Sequence, residues 1–200
     1  MLVIAIETGS GGRLRWAGRR HDDERPDASS GDTPDELFDA VFHALHDGEQ
    51  VALGFDCALT MPVPPDQDPA TAASRPGLAE LGYLLGELGH WRPWTTVSTS
   101  LARWKANTSI LVWQAVPAPG ANAVTASAAA DSFFRELPAA SRATEPSGQA
   151  APAGQAAPAG QAAPAGTVVN LAAAAARRAG LFVDPSELAQ PTVSITVTDG

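Results

Sequence analysis

Apolar residues form short continuous runs in several parts of the chain, a pattern typical of strands buried on both faces. Such runs cover residues 2–7, 51–56 and 108–116, and a β-branched run, TVSITVT, follows near the end. Residues 13–17 instead alternate polar and apolar side chains, which predicts a half-exposed strand. Because the intervening GSGG suits a tight turn, we expect the first two strands to form a hairpin.

Helical spacing of apolar residues is clearest in DTPDELFDAVFHALHDG. Asp32 or Thr33 can cap this helix, Pro34 suits its first turn, and Gly48 can end it. The apolar stripe of this predicted helix consists of Leu37, Phe38, Val41, Phe42 and Leu45.

Further helices are predicted over 78–88, 126–137 and 167–182. Residues 18–31 are polar and residues 57–77 are rich in proline, so both predict loops. Because strands alternate with helices, we expect an α/β sandwich with a mixed sheet.

A segment of different composition interrupts this pattern at about 138–166. It contains GQAAPA three times in succession, and a proline every six residues opposes regular helix or sheet. The segment also has too little apolar bulk to form a core. We therefore expect a single domain over residues 1–200, interrupted by a flexible, disordered insert.

Composition narrows the classes of partner. The formal net charge is −9, which disfavours broad binding to nucleic acid. No apolar run is long enough for a membrane span, and the N-terminal run ends at Glu7 without the pattern of a signal peptide. Cys57 is the single cysteine, which fits a reducing compartment, so we expect a cytoplasmic protein without membrane partners.

Two groups of basic residues allow a narrower interaction with nucleic acid. One group follows the glycine turn and comprises Arg13, Arg15, Arg19 and Arg20. The other lies among tryptophans and comprises Arg92, Arg103 and Lys105 with Trp91, Trp94 and Trp104. Such groups can bind single strands by charge and stacking. The alternative is that the arginines cover exposed strand faces and the tryptophans fill a core.

Two predicted strands end on acids, Glu7 and Asp56. Neighbouring strands lie about 4.8 Å apart, so acids at matching ends can approach each other and hold Mg²⁺ or Mn²⁺ for phosphodiester hydrolysis. A third acid would come from a helix, with Asp131 as the first candidate and Glu136 as the second. Each acid also has a structural interpretation: Glu7 can be solvated or accept turn N–H groups, Asp56 can cap a loop, and Asp131 can pair with Arg135.

Several segments together resemble the RNase H-like superfamily, and more closely a branch of predicted nucleases. They are IAIETGSGGRLRWAG, VALGFDCALTMPVP, SRPGLAE, RPWTT, ILVWQAV and AAADSFFRELP, in this order. The resemblance implies a three-layer RNase H-like fold and metal-dependent nuclease activity, with Glu7, Asp56 and Asp131 as catalytic and metal-binding acids. It also marks Arg75 and Glu80 as substrate-binding residues, to which we add Arg13 from the first basic group.

Two differences from that superfamily motivate an alternative function. The first acid is Glu7 where Asp is usual, and Mg²⁺ tolerates little error in the position of a ligand. Gln114 stands where an acid is expected. The sequence therefore supports two hypotheses: a metal-dependent nuclease, or a catalytically degenerate RNase H-like module that binds a protein partner.

Overall fold

A computed structural model describes residues 1–8, 14–20, 28–63, 77–107, 110–121, 124–143 and 167–198. The glycine turn at 9–13, with Arg13, and the segment 64–76, with Arg75, lie outside these ranges, as does 144–166. The strands are β1 (Leu2–Thr8), β2 (Leu14–Arg20), β3 (Ala28–Gly31), β4 (Val51–Phe55), β5 (Thr60–Val63), β6 (Val97–Ser98), β7 (Ile110–Pro117), β8 (Thr167–Asn170) and β9 (Ser194–Val197). The helices are α1 (Pro34–His46), α2 (Leu78–Trp91), α3 (Leu101–Asn107), α4 (Ala126–Ala143) and α5 (Leu171–Arg178).

The main sheet is mixed, as predicted. Its strand order is β3-β2-β1-β4-β7-β6, and β9 also pairs with β7. β1 and β3 are antiparallel to β2, whereas β1, β4 and β7 run parallel to one another, and β6 and β9 run parallel to β7. β5 and β8 form a separate antiparallel pair. Within the described ranges, no helix is both long and apolar enough to cross a bilayer.

Two apolar cores cover the two faces of the sheet, so the fold has three layers. Alternate residues of β1 divide between them: Ile4 and Ile6 join the core that includes residues of α1, α2 and α5. Val3 and Ala5 join the core that includes residues of α4. On that second face the indole of Trp113 lies against Gly54, where a Cβ atom would overlap the ring. Glycine at this position is therefore required for the close contact between β4 and the aromatic core.

The sequence prediction of α1 is confirmed. The Thr33 side chain accepts a hydrogen bond from the Glu36 N–H at 3.3 Å, so Thr33 rather than Asp32 is the cap. Leu37, Val41 and Leu45 of the predicted stripe are buried.

The predicted loop over 18–31 is wrong at both ends. β2 continues to Arg20, and residues 28–31 form the edge strand β3 although they are small and polar. Backbone pairing with Trp16 to Arg19 of β2 forms this strand, and this edge strand buries too little side-chain area to need an apolar pattern.

The predicted helix over 167–182 is also wrong in its first part. Thr167–Asn170 is β8, which pairs with the unpredicted strand β5 inside the proline-rich segment. The side chain of Asn170 then caps α5 by accepting from the Ala173 N–H at 3.0 Å. At the other end of the insert, the α4 backbone continues to Ala143, six residues past the predicted end at Leu137. The alanines beyond Pro138 favour this extension.

Candidate functional site

The structure brings Glu7 and Asp56 to the same edge of the sheet. β1 and β4 are parallel neighbours whose last paired residues are Ile6 and Phe55. Glu7 and Asp56 follow directly, and the Asp56 N–H donates to the Ile6 carbonyl oxygen at 3.2 Å. The carboxyl ends of these two strands therefore form a rim, which we call the acidic rim and which consists of Glu7, Thr8, Asp56, Cys57, Gly77 and Glu80.

The carboxylate of Asp56 accepts its hydrogen bonds from Thr8. The Thr8 N–H donates to Oδ1 at 3.1 Å and to Oδ2 at 3.0 Å, and the Thr8 hydroxyl donates to Oδ1 at 2.7 Å. The contact joins residues 48 positions apart and closes the end of β1 over the end of β4. Asp56 thus accepts hydrogen bonds that hold the chain, as a structural acid does.

Glu80, a predicted substrate-binding residue, also lies at the acidic rim. Its carboxylate accepts from the N–H of Gly77 at 2.8 Å and so holds the start of α2. Gly77 has a φ of +88°, and a Cβ atom there would lie 2.7 Å from Cys57 Sγ and 3.3 Å from Thr8 Oγ1. Only glycine meets both requirements without strain.

The pKa of the Cys57 thiol reflects the burial and the negative charge of this rim. Burial raises the pKa of its thiol to about 12, and the negative charges of Asp56 and Glu80 act in the same direction. The thiol therefore stays protonated at neutral pH and is no nucleophile there.

Glu7 lines a cavity of about 460 Å³ that lies between the hairpin and the beginnings of α1 and α4. Arg15, which is opposite Glu7 in the β1–β2 register, lines the same cavity. Further acids line it as well, namely Asp32 and Glu36, and the beginning of α4 closes one side. Glu7 therefore faces a cavity of mixed charge.

Asp131 lies elsewhere. Its carboxylate accepts from Arg19 Nε at 3.1 Å, and the same guanidinium donates to Ser127 Oγ at 2.6 Å. Arg19 is opposite Val3 in the register, four residues before Glu7, which is about 13 Å along an extended strand. The structure therefore does not bring Asp131 together with Glu7 and Asp56.

The described residues contain no group of three or more Asp, Glu, His or Cys side chains that could hold a metal ion. The predicted partner of Asp131, Arg135, instead donates to Ser132 Oγ and to the Thr198 carbonyl oxygen, both at 2.9 Å. Glu136, the second candidate for the third acid, is exposed on α4. A site for Mg²⁺ or Mn²⁺ remains a prediction.

Gln114 has a structural role at the position where an acid was expected. Its Oε1 accepts from the N–H of Leu59 at 3.1 Å and so fixes the chain that follows β4. An amide provides this acceptor without placing a negative charge beside Asp56.

The basic and aromatic residues around α3 do not form one exposed surface. Trp104 is buried, and Trp91 packs on Phe42 with ring centroids 4.2 Å apart. Arg103 pairs with Asp184 at 3.1 Å, whereas Trp94 is 89% exposed. In the first basic group, Arg19 and Arg20 pair with Asp131 and Glu49. The structural interpretation therefore holds for Arg19, Arg20 and Trp104, whereas the exposed Trp94 does not fill a core and Arg13 lies outside the described ranges.

Sequence reasoning missed a second, buried carboxylate, Glu187. Its side chain accepts from the Ser98 hydroxyl at 2.8 Å, from the Thr99 hydroxyl at 2.7 Å and from the Thr99 N–H. Asn170 extends this network by donating to Thr99 Oγ1 at 2.8 Å. The donors to Glu187 lie about ninety positions earlier in the chain, so no local pattern could have identified it.

Comparisons with known proteins leave the family open. No protein-family model matches the sequence, and no curated protein matches it either. Among solved structures, the cytoplasmic domain of EpsL, an inner membrane component of the type II secretion system of Vibrio cholerae, is 17% identical. That similarity covers 44% of this chain and 36% of the EpsL domain with a TM-score of 0.20, too low to support an argument.

Proposed function

We propose that this chain is a catalytically degenerate RNase H-like module that binds a protein partner. The observation that carries the proposal is the separate engagement of two acids of the predicted triad. Asp56 accepts three hydrogen bonds from Thr8, and Asp131 pairs with Arg19. Two-metal hydrolysis needs carboxylates gathered around ions about 3.5–4 Å apart.

The physical cost of converting this arrangement into a metal site is large. Mg²⁺ requires near-octahedral oxygen ligands at about 2.0–2.1 Å, so the Asp56 carboxylate would have to leave Thr8. Asp131 would have to leave Arg19 and move along the sheet. The free energy of ion binding would also have to offset the cost of leaving the donors on Thr8 and Arg19 without acceptors.

The architecture and the surface also support the proposal. A mixed sheet with an N-terminal hairpin and helices on both faces is what the RNase H-like resemblance implies. Trp94 and Phe182 are 89% and 63% exposed, and large exposed aromatics are typical of sites that bind proteins.

Calorimetry tests the absence of a metal site. We expect Mg²⁺ and Mn²⁺ to bind no more tightly than millimolar, with the same weak heats for Asp56→Asn and for a control, Asp39→Asn, on the exposed face of α1. Micromolar binding that Asp56→Asn removes and Asp39→Asn retains would overturn the proposal.

The second candidate function is metal-dependent cleavage of nucleic acid. It is favoured by the shared position of Glu7, Asp56 and Glu80 around one end of β1 and β4. Incubation with single- and double-stranded DNA and RNA in Mn²⁺ tests it. Cleavage abolished by Glu7→Gln and by Asp56→Asn, but not by Asp39→Asn, would establish the nuclease.

A further inference from the structure

We infer that the groove between α2 and α5 binds an amphipathic helix of a partner protein, with carboxylates at the end of that helix that faces Arg178. The inference rests on the proposed function and names the class of partner. It draws on three features of the region around α2 and α5: a wedge-shaped groove, a basic end of that groove, and two exposed aromatics that follow the two helices.

The groove is closed at one end and open at the other. At the closed end α2 and α5 touch, because a Cβ atom on Gly89 would overlap the Ala179 carbonyl oxygen. Toward the start of α2 the helices diverge: Cβ atoms on Gly82 and Gly86 would meet no atom of the described residues within 4 Å. The resulting space has a volume of about 610 Å³.

The walls of the groove suit the side of a helix. The largely buried Leu78 and Leu171 line its open end, and Gly82, Gly86 and Ala175 provide low walls. Helix axes pack 8–10 Å apart, depending on the side chains at the contact, so small walls allow a close approach. An apolar stripe spaced by three and four residues is the complement that such a groove accepts.

Charge selects which amphipathic helix fits. Arg178 and His90 line the groove near the last turns of α5 and α2, and Arg177 is exposed beside them. The chain as a whole carries a net charge of −9, so this basic end is a local exception. A partner helix with carboxylates at one end would gain pairing with Arg178 and a defined direction in the groove.

The exposed aromatics lie beyond the same ends of the two helices. Trp94 follows α2 by three residues, and Phe182 follows α5 by four. Backbone hydrogen bonds join the two segments: the Phe182 N–H donates to the Thr95 carbonyl oxygen at 3.1 Å, and the Val97 N–H donates to that of Phe182 at 2.9 Å. The two aromatics therefore lie on neighbouring backbone segments that follow the basic end of the groove.

Titration of the full-length, ¹⁵N-labelled protein with designed helical peptides tests the inference. The probes are 18-residue peptides with an Ala/Leu stripe and three glutamates at the first or the last turn, and matched peptides with lysines instead. We expect one glutamate peptide to shift the amides of Gly82 and Gly86 and the indole of Trp94. We expect the lysine peptides to bind at least tenfold more weakly.

Variants separate groove binding from unfolding. Gly86→Leu fills open space, so the fold should persist by circular dichroism while peptide binding falls at least tenfold. Ala102→Leu, on the exposed side of α3, is the matched control and should bind as the unaltered protein does. Arg178→Glu should reverse the preference from the glutamate to the lysine peptide.

Several outcomes would overturn the inference: no binding, equal binding of glutamate and lysine peptides, or amide shifts away from the groove. A dimer seen by sedimentation and dissociated by Gly86→Leu would assign the groove to a second copy of the chain instead. Metal binding at the acidic rim would refute the proposed function without changing these titrations, so the two failures are distinguishable.

Discussion

Asp56 and Glu187 are two carboxylates held in the same way in different surroundings. Each accepts from both the backbone N–H and the hydroxyl of one threonine, Thr8 for Asp56 and Thr99 for Glu187. Asp56 is half-buried at the acidic rim, whereas Glu187 is 1% exposed inside the fold. The same contact therefore joins distant segments in both places, and an acid after a buried strand need not indicate a metal site.

Burial should make the two contacts unequal in energy. A donor left unpaired at the rim can bind water, whereas one left unpaired in the interior loses its partner outright. Removal of Glu187 should consequently destabilise the protein more than removal of Asp56.

Glu187→Ala should lower the free energy of unfolding by about 3–5 kcal/mol, because the buried N–H and hydroxyl of Thr99 lose their acceptor and the Ser98 hydroxyl loses one of two. Urea unfolding followed by circular dichroism measures the loss. Glu136→Ala, on the exposed side of α4, is the control and should change stability by less than about 0.5 kcal/mol. A loss below about 1 kcal/mol for Glu187→Ala would contradict the difference between the two sites.

The Cys57 thiol should react hundreds of times more slowly at pH 9 in the folded protein than in urea. Its pKa is raised from 9.0 to about 12, so about one folded molecule in a thousand carries a thiolate at that pH. Alkylation with iodoacetamide, followed by mass spectrometry, measures the rate. Equal rates in the folded and unfolded protein would mean that the rim does not bury this thiol.

The raised pKa of Cys57 also makes the stability of the protein depend on pH. The pKa of Cys57 is higher in the folded protein than the 9.0 of a free thiol. The protonated thiol therefore contributes fully to the free energy of unfolding below pH 9. This contribution is lost as the pH rises from 9 toward about 12. The difference in unfolding free energy between the unaltered protein and Cys57→Ala should narrow or reverse over this window.

Asp56→Ala should cost about 1–2 kcal/mol, because the Thr8 donors lose an acceptor but remain near solvent. Urea unfolding measures this loss beside that of Glu187→Ala. The substitution should also lower the pKa of Cys57, since the negative charge of Asp56 helps to raise it. A loss as large as that of Glu187→Ala would remove the contrast between rim and interior.

Asp131→Asn should change stability by less than about 0.5 kcal/mol, because its pair with Arg19 is exposed and screened by water and salt. Thermal unfolding at low and high ionic strength measures the effect. A loss of several kcal/mol at both salt concentrations would show that Asp131 has a role beyond this surface pair.

The sequence was sufficient for the parts of the fold that depend on apolar pattern. β1, β4, β7 and the cap and stripe of α1 follow from continuous or helically spaced apolar residues, and the structure has them near the predicted bounds. β3, β5 and β8 were missed because backbone pairing forms them: β3 is polar, β5 contains a proline, and β8 is a four-residue segment directly before the alanine-rich helix α5.

The candidate site was predictable to the same extent. Strand ends indicated that Glu7 and Asp56 would lie at one edge, because parallel neighbours place their carboxyl ends together. The sequence could not indicate that Thr8 donates hydrogen bonds to Asp56 or that Arg19 forms an ion pair with Asp131. Those pairs depend on the registers of separate elements, 48 and 112 positions apart.

The aromatic core over Gly54 has a consequence for spectroscopy. Trp113 and Trp104 both pack around Phe133, with ring centroids 5.1 and 6.2 Å from it, and both are buried, whereas Trp94 stands in water. Indoles in these two environments differ in emission wavelength and in access to a soluble quencher. Iodide should thus quench the red-shifted fluorescence of Trp94 more than the blue-shifted fluorescence of the core tryptophans. The chain therefore carries an intrinsic fluorescent probe for a partner that binds beside α2 and α5.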